Sequence, residues 1–172
     1  MSQNKIAYII PHRGRDDILL WHLKELNQQS CKDLAVFVMY DGSEGEMNEK
    51  GEVPFHNLKR EIDKLPLNYE RHYHPSTDIS SQRGPAKARN KGAQLAYEMG
   101  CPILLFVGSD TIPSPELIAK HYQIHTEMEP HIQIVQGYSP WHKDVTSGLT
   151  DFIDRTGFQA AWENAQDKNG DW

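Results

Sequence analysis

The chain has 172 residues, and its 18 Lys and Arg against 24 Asp and Glu give a formal net charge of −6. This length suits one domain with a substantial core, and the negative balance argues against a protein that coats nucleic acid or an anionic membrane through bulk charge. No apolar run approaches the roughly 18 residues of a membrane span, and two distant cysteines, Cys31 and Cys101, exclude a disulfide scaffold, so the sequence predicts a cytoplasmic protein.

Strand and helix patterns alternate along the chain. Apolar, β-branched runs predict strands at 6–10, 34–40, 69–74, 103–107 and 132–136, the first of them ended by Pro11. Amphipathic periodicity and capping residues predict helices at 16–29, 55–65, 85–99 and 114–127, the last with Ser114 as its N-cap, and weaker periodicity at 158–166.

This alternation predicts an α/β fold, a mostly parallel sheet flanked by helices. Ligands of open parallel sheets bind outside the carboxyl ends of the strands. Three segments follow predicted strands at those ends: 11–15, 41–43 and 108–110. Any functional site is therefore expected where these three segments meet.

The turn after the first strand is basic. Arg13 and Arg15 lie within five residues and next to the start of a helix, an arrangement typical of an anion site. A solvated basic turn explains the segment equally well. After the second strand, Asp41 begins an Asp-Gly turn, and taken alone this segment favours a simple turn. The Asp41 carboxylate could also accept a hydrogen bond from a ribose hydroxyl or a base N–H.

Cations also begin the helix at 85–99. Lys87 and Arg89 fall near its N-terminus, where the helix dipole repels positive charge unless an anion is close. A bound diphosphate would relieve this repulsion, whereas a merely solvated helix start would more comfortably carry Asp or Glu. The pattern favours a phosphate-binding role.

Asp110 follows the fourth strand, where a carboxylate suits a hard divalent cation completed by phosphate oxygens. His142, beside a tryptophan, is a candidate third ligand. His121 and His125 have the spacing of a zinc pair but no further ligand nearby, so we interpret them as histidines at the solvent edge.

In their order, four segments resemble the nucleotide-binding half of a GT-A fold glycosyltransferase, most like family 2. The family's first strand ends in a Pro-x-x-x-Arg-like turn (here 11–15), its second in Asp-Gly-Ser (41–43), a helix begins with Ala-Arg-Asn-x-Gly (88–92), and its fourth strand ends in Asp-x-Asp (108–110). The resemblance covers roughly residues 5–137, and Gly108 stands where the family's first aspartate lies.

The resemblance implies a nucleotide-diphospho-sugar donor, commonly a UDP-sugar, and Mn²⁺ or Mg²⁺ as cofactor. It implies that Pro11 and Asp41 contact the base and ribose, and that Asp110 holds the metal against the diphosphate. Because Gly108 has no carboxylate, the contact that the family's first aspartate makes to the ribose or sugar is either missing or made by Ser109. The full set of expected donor-binding residues is Pro11, Arg13, Arg15, Asp41, Lys87, Arg89, Ser109 and Asp110.

By the same resemblance, residues 1–137 form the donor-binding core, and 138–172 are expected to begin an acceptor-binding region that is truncated. The alternative is a minimal enzyme that places its catalytic base differently. The expected reaction is metal-assisted transfer of the sugar, with inversion, to a hydroxyl acceptor of unknown identity. The family's Glu-Asp pair is missing after the metal site, which leaves Asp151 and Asp154 as loose candidates for the catalytic base.

Two other functions remain open from the sequence. A sugar nucleotidyltransferase shares the strand order, but it would normally carry a glycine-rich loop after the first strand, and 11–15 is too short for one. A non-catalytic nucleotide-binding module of the same fold would need neither the carboxylate that is missing at Gly108 nor an acceptor half.

Overall fold

A computed structural model of the chain describes residues 5–78, 84–111 and 113–127. The strands are β1 (Ile6–His12), β2 (Leu34–Tyr40), β3 (Glu70–Pro75) and β4 (Ile103–Phe106). The helices are α1 (Asp16–Glu25), α2 (Pro54–Lys64), α3 (Pro85–Glu98) and α4 (Leu117–Glu127), with a 3₁₀ turn at Leu26–Gln28. The predicted strand at 132–136, the periodicity at 158–166 and the region 138–172 lie outside the described residues.

The four strands form one sheet in the order β3-β2-β1-β4, and every pairing is parallel. Helices cover both faces: α1, α2 and Ile118 of α4 pack on one face, and α3 packs on the other. The α/β fold with a parallel sheet and flanking helices is therefore confirmed. β1 and β2 lie in the centre, and their apolar side chains are buried on both faces, as their continuous apolar runs predict.

α3 packs against the sheet through Gly92, which faces β1 and β2. A Cβ at Gly92 would come within 2.6 Å of Ile9 Cγ2 and 2.9 Å of Met39 Cγ. Glycine therefore allows the helix backbone to approach the two central strands. This contact fixes where the N-terminal half of α3 lies relative to the carboxyl ends of β1 and β2.

Pro11 does not end the first strand, contrary to the sequence prediction. β1 continues to His12, which pairs with Tyr40. The carbonyl of Ile9 accepts a bond from Val107 N, so Ile9 and Pro11 direct their main-chain polar groups toward β4. β4 has already ended at Phe106, and the N–H that proline lacks would have had no partner in the ladder.

The fourth strand is less buried than its apolar run predicts. It is an edge strand among the described residues, and Leu104 and Phe106 are 37% and 47% exposed. A four-residue apolar run does not distinguish an edge strand from a central one.

The helix predicted at 16–29 is shorter in the structure. The α-helix ends at Glu25, and the chain continues as a 3₁₀ turn at Leu26–Gln28.

α4 begins at Leu117 rather than at the predicted cap, Ser114. A distant glutamine organises this helix start: buried Gln29 donates through Nε2 to the Ser114 carbonyl (2.6 Å), and its Oε1 accepts from Ile118 N (3.1 Å). Gln29 thereby satisfies a helix-terminal N–H that has no partner within the helix.

Replacing Gln29 by leucine should lower the free energy of unfolding by about 1–3 kcal/mol. The variant leaves the buried N–H of Ile118 without a partner, whereas the Ser114 carbonyl keeps its bond from Leu117 N. Urea unfolding would measure the change. Gln28→Leu is a matched control, because Gln28 is exposed and, within the part of the chain that the structure describes, its amide bonds to Glu25 alone. Equal stabilities of the two variants would contradict the role of Gln29.

Candidate functional site

β1, β2 and β4 end at one edge of the sheet, because all three are parallel. The turns that follow them carry the residues singled out in the sequence. The start of α3 reaches the same edge: the backbone N–H of Gly84 donates to Asp41 Oδ1 at 2.7 Å. The turn after β2 and the basic helix start therefore meet directly.

Asp41 is held from three directions. Its backbone N–H donates to the His12 carbonyl (2.8 Å), and its own carbonyl accepts from Arg13 Nη1 (2.6 Å). Its half-buried carboxylate accepts from Gly84 at the N-cap of α3, where negative charge is stabilised by the helix dipole. One carboxylate oxygen is thus used to fix α3.

The start of α3 is positively charged. The first turn contains no acidic residue; Lys87 is exposed there, and Arg89 follows half-buried. Asp41 is the carboxylate that the structure places against this helix end. Dipole and side chains together make the helix start a site where an additional anion would be stabilised.

Arg13 and Arg15 differ in their surroundings, although both follow β1. Arg13 forms an ion pair with Glu46, which raises the pKa of Arg13. Arg15 is exposed and adopts a left-handed conformation (φ 51°, ψ 49°) at the N-cap of α1. The Arg15 carbonyl accepts from the backbone N–H groups of Ile18 and Leu19.

Pro11 is half-buried within β1. It lies on the same face of the sheet as Ile9, the face against which α3 packs.

Asp110 and Thr111 turn back over Gly108. A bond from Thr111 N to the Gly108 carbonyl (3.2 Å) closes the turn. A Cβ at Gly108 would lie 2.7 Å from Asp110 Oδ1 and 3.3 Å from Thr111 Oγ1. A carboxylate and a hydroxyl oxygen therefore converge over the glycine, and Asp110 itself is exposed. Ser109 is half-buried in the same turn.

These oxygens are the kind that a hard divalent cation prefers. Within residues 5–78, 84–111 and 113–127 there is no cluster of three or more His, Cys, Asp and Glu side chains that could hold a metal. Among the described residues, a cation at Asp110 would therefore have few protein ligands besides the Asp110 carboxylate and the Thr111 hydroxyl.

His22 lies beneath this turn and is a site-region residue that the sequence reasoning missed. It is fully buried, and its Nε2 lies 3.0 Å from the Tyr8 hydroxyl. Burial lowers the pKa of His22 to about 4, although the nearby Thr111 backbone and the Asp110 carboxylate partly offset the shift. The signal was present in the sequence, since His22 lies on the apolar stripe of α1.

Of the remaining candidates from the sequence, the structure describes His121 and His125. His121 and His125 stack at 6.2 Å between ring centroids, but His121 is buried, so its predicted position at the solvent edge is wrong. Burial lowers the pKa of His121. His142, Asp151 and Asp154 lie outside the described residues.

No protein-family model matches the sequence. The chain is 28% identical, over 182 aligned positions, to a Bacillus subtilis (strain 168) protein named "Uncharacterized glycosyltransferase YfnE". The match covers 96% of this chain and 41% of the relative, so the chain spans about two fifths of that protein's length. Among solved structures, the crystal structure of S. aureus TarS matches 72% of this chain and 20% of that chain, with 21% identity and a TM-score of 0.46.

None of the helices described by the structure combines the length and the apolar character needed to cross a membrane.

Proposed function

We propose that the chain is the donor-binding part of a glycosyltransferase that uses a nucleotide-diphospho-sugar, with a UDP-sugar as the first candidate. The observation that carries the proposal is the contact of Asp41 with a helix start that bears Lys87 and Arg89 and no acid in its first turn. The likeness to a curated glycosyltransferase over nearly the whole chain supports the same class of reaction.

The basic residues at the carboxyl edge would bind the diphosphate. The start of α3 supplies the positive end of a helix dipole, and the side chains of Lys87 and Arg89 add full charges near it. Arg15, which is exposed at the N-cap of α1, would add a third positive side chain beside Lys87 and Arg89. Together they would stabilise the negative charge that develops on the departing nucleoside diphosphate.

The nucleoside would lie beside Asp41 and Pro11. The Asp41 carboxylate gives one oxygen to Gly84 N, and its remaining acceptor capacity would receive a ribose hydroxyl or a base N–H. Because three contacts fix Asp41, this acceptor would be held in place before the donor binds.

Asp110 is the residue that would hold Mn²⁺ or Mg²⁺, with Thr111 beside it. Their converging oxygens fit a hard cation, and the absence of a larger acidic cluster among the described residues fits a metal that is completed by the donor's phosphates. Such a cation would neutralise charge on the diphosphate leaving group. Ser109 would bind the ribose or the sugar. In the glycosyltransferase family that the sequence resembles, the first aspartate of Asp-x-Asp makes that contact.

The transfer step requires an acceptor hydroxyl and a base. The hydroxyl oxygen would bond to the anomeric carbon as the bond from that carbon to the diphosphate oxygen breaks, with inversion. The base would take the hydroxyl proton. Asp151 and Asp154 remain the candidates for this base, and the acceptor is a hydroxyl compound of unassigned class.

Calorimetric titration with UDP, with and without Mn²⁺, tests the proposal. We expect binding in the presence of Mn²⁺ and at least tenfold weaker binding without it. Parallel titrations with GDP and dTDP would show whether the nucleoside part is uridine. Absence of binding by all three nucleotides in both conditions would contradict a donor-binding role.

A further inference from the structure

Arg13 is paired with Glu46 across the turn that follows β2. Nη2 of Arg13 lies 2.8 Å from Glu46 Oε1, and Nη1 lies 3.4 Å from Oε2. The Glu46 side chain is only 16% exposed, whereas that of Arg13 is 39% exposed. The same Nη1 donates to the Asp41 carbonyl at 2.6 Å. The forked contact is the geometry in which arginine binds carboxylates most strongly.

The ion pair lies directly against the backbone of Gly42. A Cβ at Gly42 would come within 2.7 Å of Glu46 Oε2, 2.7 Å of Tyr40 Cε1 and 3.0 Å of Arg13 Nη1. Glycine thus leaves the space in which the guanidinium and the carboxylate meet. Residues 41–46 are consequently held to the turn after β1 by side chains, in addition to the backbone bond at His12.

Residues 48–52, which follow this segment, are fixed by a separate local turn. Asn48 Oδ1 accepts from the backbone N–H groups of Lys50 and Glu52, which closes a local turn. Met47 lies between the two fixed parts and is 68% exposed. The pair between Arg13 and Glu46 therefore secures the Glu46 end of residues 41–46, while the Asp41 carboxylate secures the other end against Gly84.

From this geometry we infer that Arg13 is a positioning residue, which together with Glu46 holds the Asp41 turn in its binding conformation and does not itself bind the donor's phosphates. The inference rests on the proposed function and revises the expectation that Arg13 contacts the donor. Three of the five N–H donors of Arg13 are already engaged, two on Nη1 by the Asp41 carbonyl and Glu46 and one on Nη2 by Glu46. The charge of Arg13 is also compensated by its partner, so the pair attracts a diphosphate far less than Arg15 or Arg89 would.

A double-mutant cycle tests the inference, using Arg13→Gln, Glu46→Gln and the double variant with UDP and Mn²⁺ in the calorimeter. A positioning pair predicts that each single variant weakens UDP binding about five- to tenfold, and that the double variant is no weaker than either. The charge swap Arg13→Glu with Glu46→Arg should recover part of the affinity. A phosphate-binding Arg13 predicts instead that Arg13→Gln weakens binding while Glu46→Gln leaves it unchanged or tightens it, and this result would overturn the inference.

Hydrogen exchange separates this inference from the proposed function, because it needs no nucleotide. In both single variants the backbone amides of residues 41–47 should exchange about five- to tenfold faster than in the wild type. Lys59→Gln is the control, since it breaks an exposed ion pair with Asp63 on α2, away from the Asp41 turn. Unchanged exchange at 41–47 in both variants would contradict the positioning role even if UDP binds. Failure of the wild type to bind UDP, with faster exchange in the variants, would contradict the proposed function alone.

Discussion

Asp110→Asn is expected to remove the Mn²⁺-dependent part of UDP binding and to lower turnover of a UDP-sugar by about 10²-fold or more. Asparagine keeps the shape of the side chain but has no charge, and a hard cation binds a neutral amide oxygen much more weakly than a carboxylate. Tenfold in affinity corresponds to about 1.4 kcal/mol. The larger effect on turnover follows because charge on the leaving group is greatest in the transition state.

The measurement is a pair of calorimetric titrations, with and without Mn²⁺, together with UDP release in the presence of a UDP-sugar. Asp17→Asn serves as the control: it removes the same charge from an exposed position in the first turn of α1, a helix that also begins at the carboxyl edge. It should leave affinity and metal dependence unchanged. If Asp110→Asn binds UDP as tightly as the wild type does, the chain is better described as a non-catalytic nucleotide-binding module.

If Asp110 holds a cation as proposed, the shape of its turn would suit a site with a single aspartate. Gly108 occupies the position at which the resembling family carries another carboxylate, and its missing side chain leaves the space that Asp110 Oδ1 now approaches. A side chain at 108 would compete for that space. The departure from Asp-x-Asp is thus accompanied by a second aspartate that turns back over the glycine.

Local signals in the sequence sufficed for β2 and for α3. The structure has β2 at the predicted residues, because a run buried on both faces ends abruptly at an Asp-Gly turn. Pro85 and Gly100 bound α3 as predicted: Pro85 is its first residue, and Gly100 follows its end with φ 77°. In each case the residue's own backbone preference determines the boundary.

Contacts between distant residues were beyond the reach of these patterns. Gln29 caps α4 from 89 residues away, and Glu46 meets Arg13 across 33 residues. An exposed polar residue and a capping one look alike in a periodic pattern, because only the tertiary fold decides which partner is present. This is why the sequence assigned Arg13 to the ligand, whereas the structure pairs it with a carboxylate.

The free energy of unfolding is expected to fall by about 3 kcal/mol between pH 7 and pH 4 because of His22 alone. The pKa of His22 is about 4 in the folded protein, against 6.5 for an unperturbed histidine. Between pH 6.5 and pH 4, His22 therefore binds a proton in the unfolded state but stays neutral in the folded state. The stabilisation is complete above about pH 6.5, declines as the pH falls, and levels off below about pH 4.

Urea unfolding at pH 7.0, 5.5 and 4.5 would measure this dependence in the wild type and in His22→Gln. Glutamine has no titrating group, and it retains an oxygen that can accept from the Tyr8 hydroxyl, as Nε2 of the neutral ring can. Burial also lowers the pKa values of His74 and His121, so both proteins should lose stability in acid, and the difference in slope isolates His22. The wild type should lose more stability than the variant over this range. Parallel curves would mean that the pKa of His22 is the same in the folded and unfolded states, and would contradict the prediction.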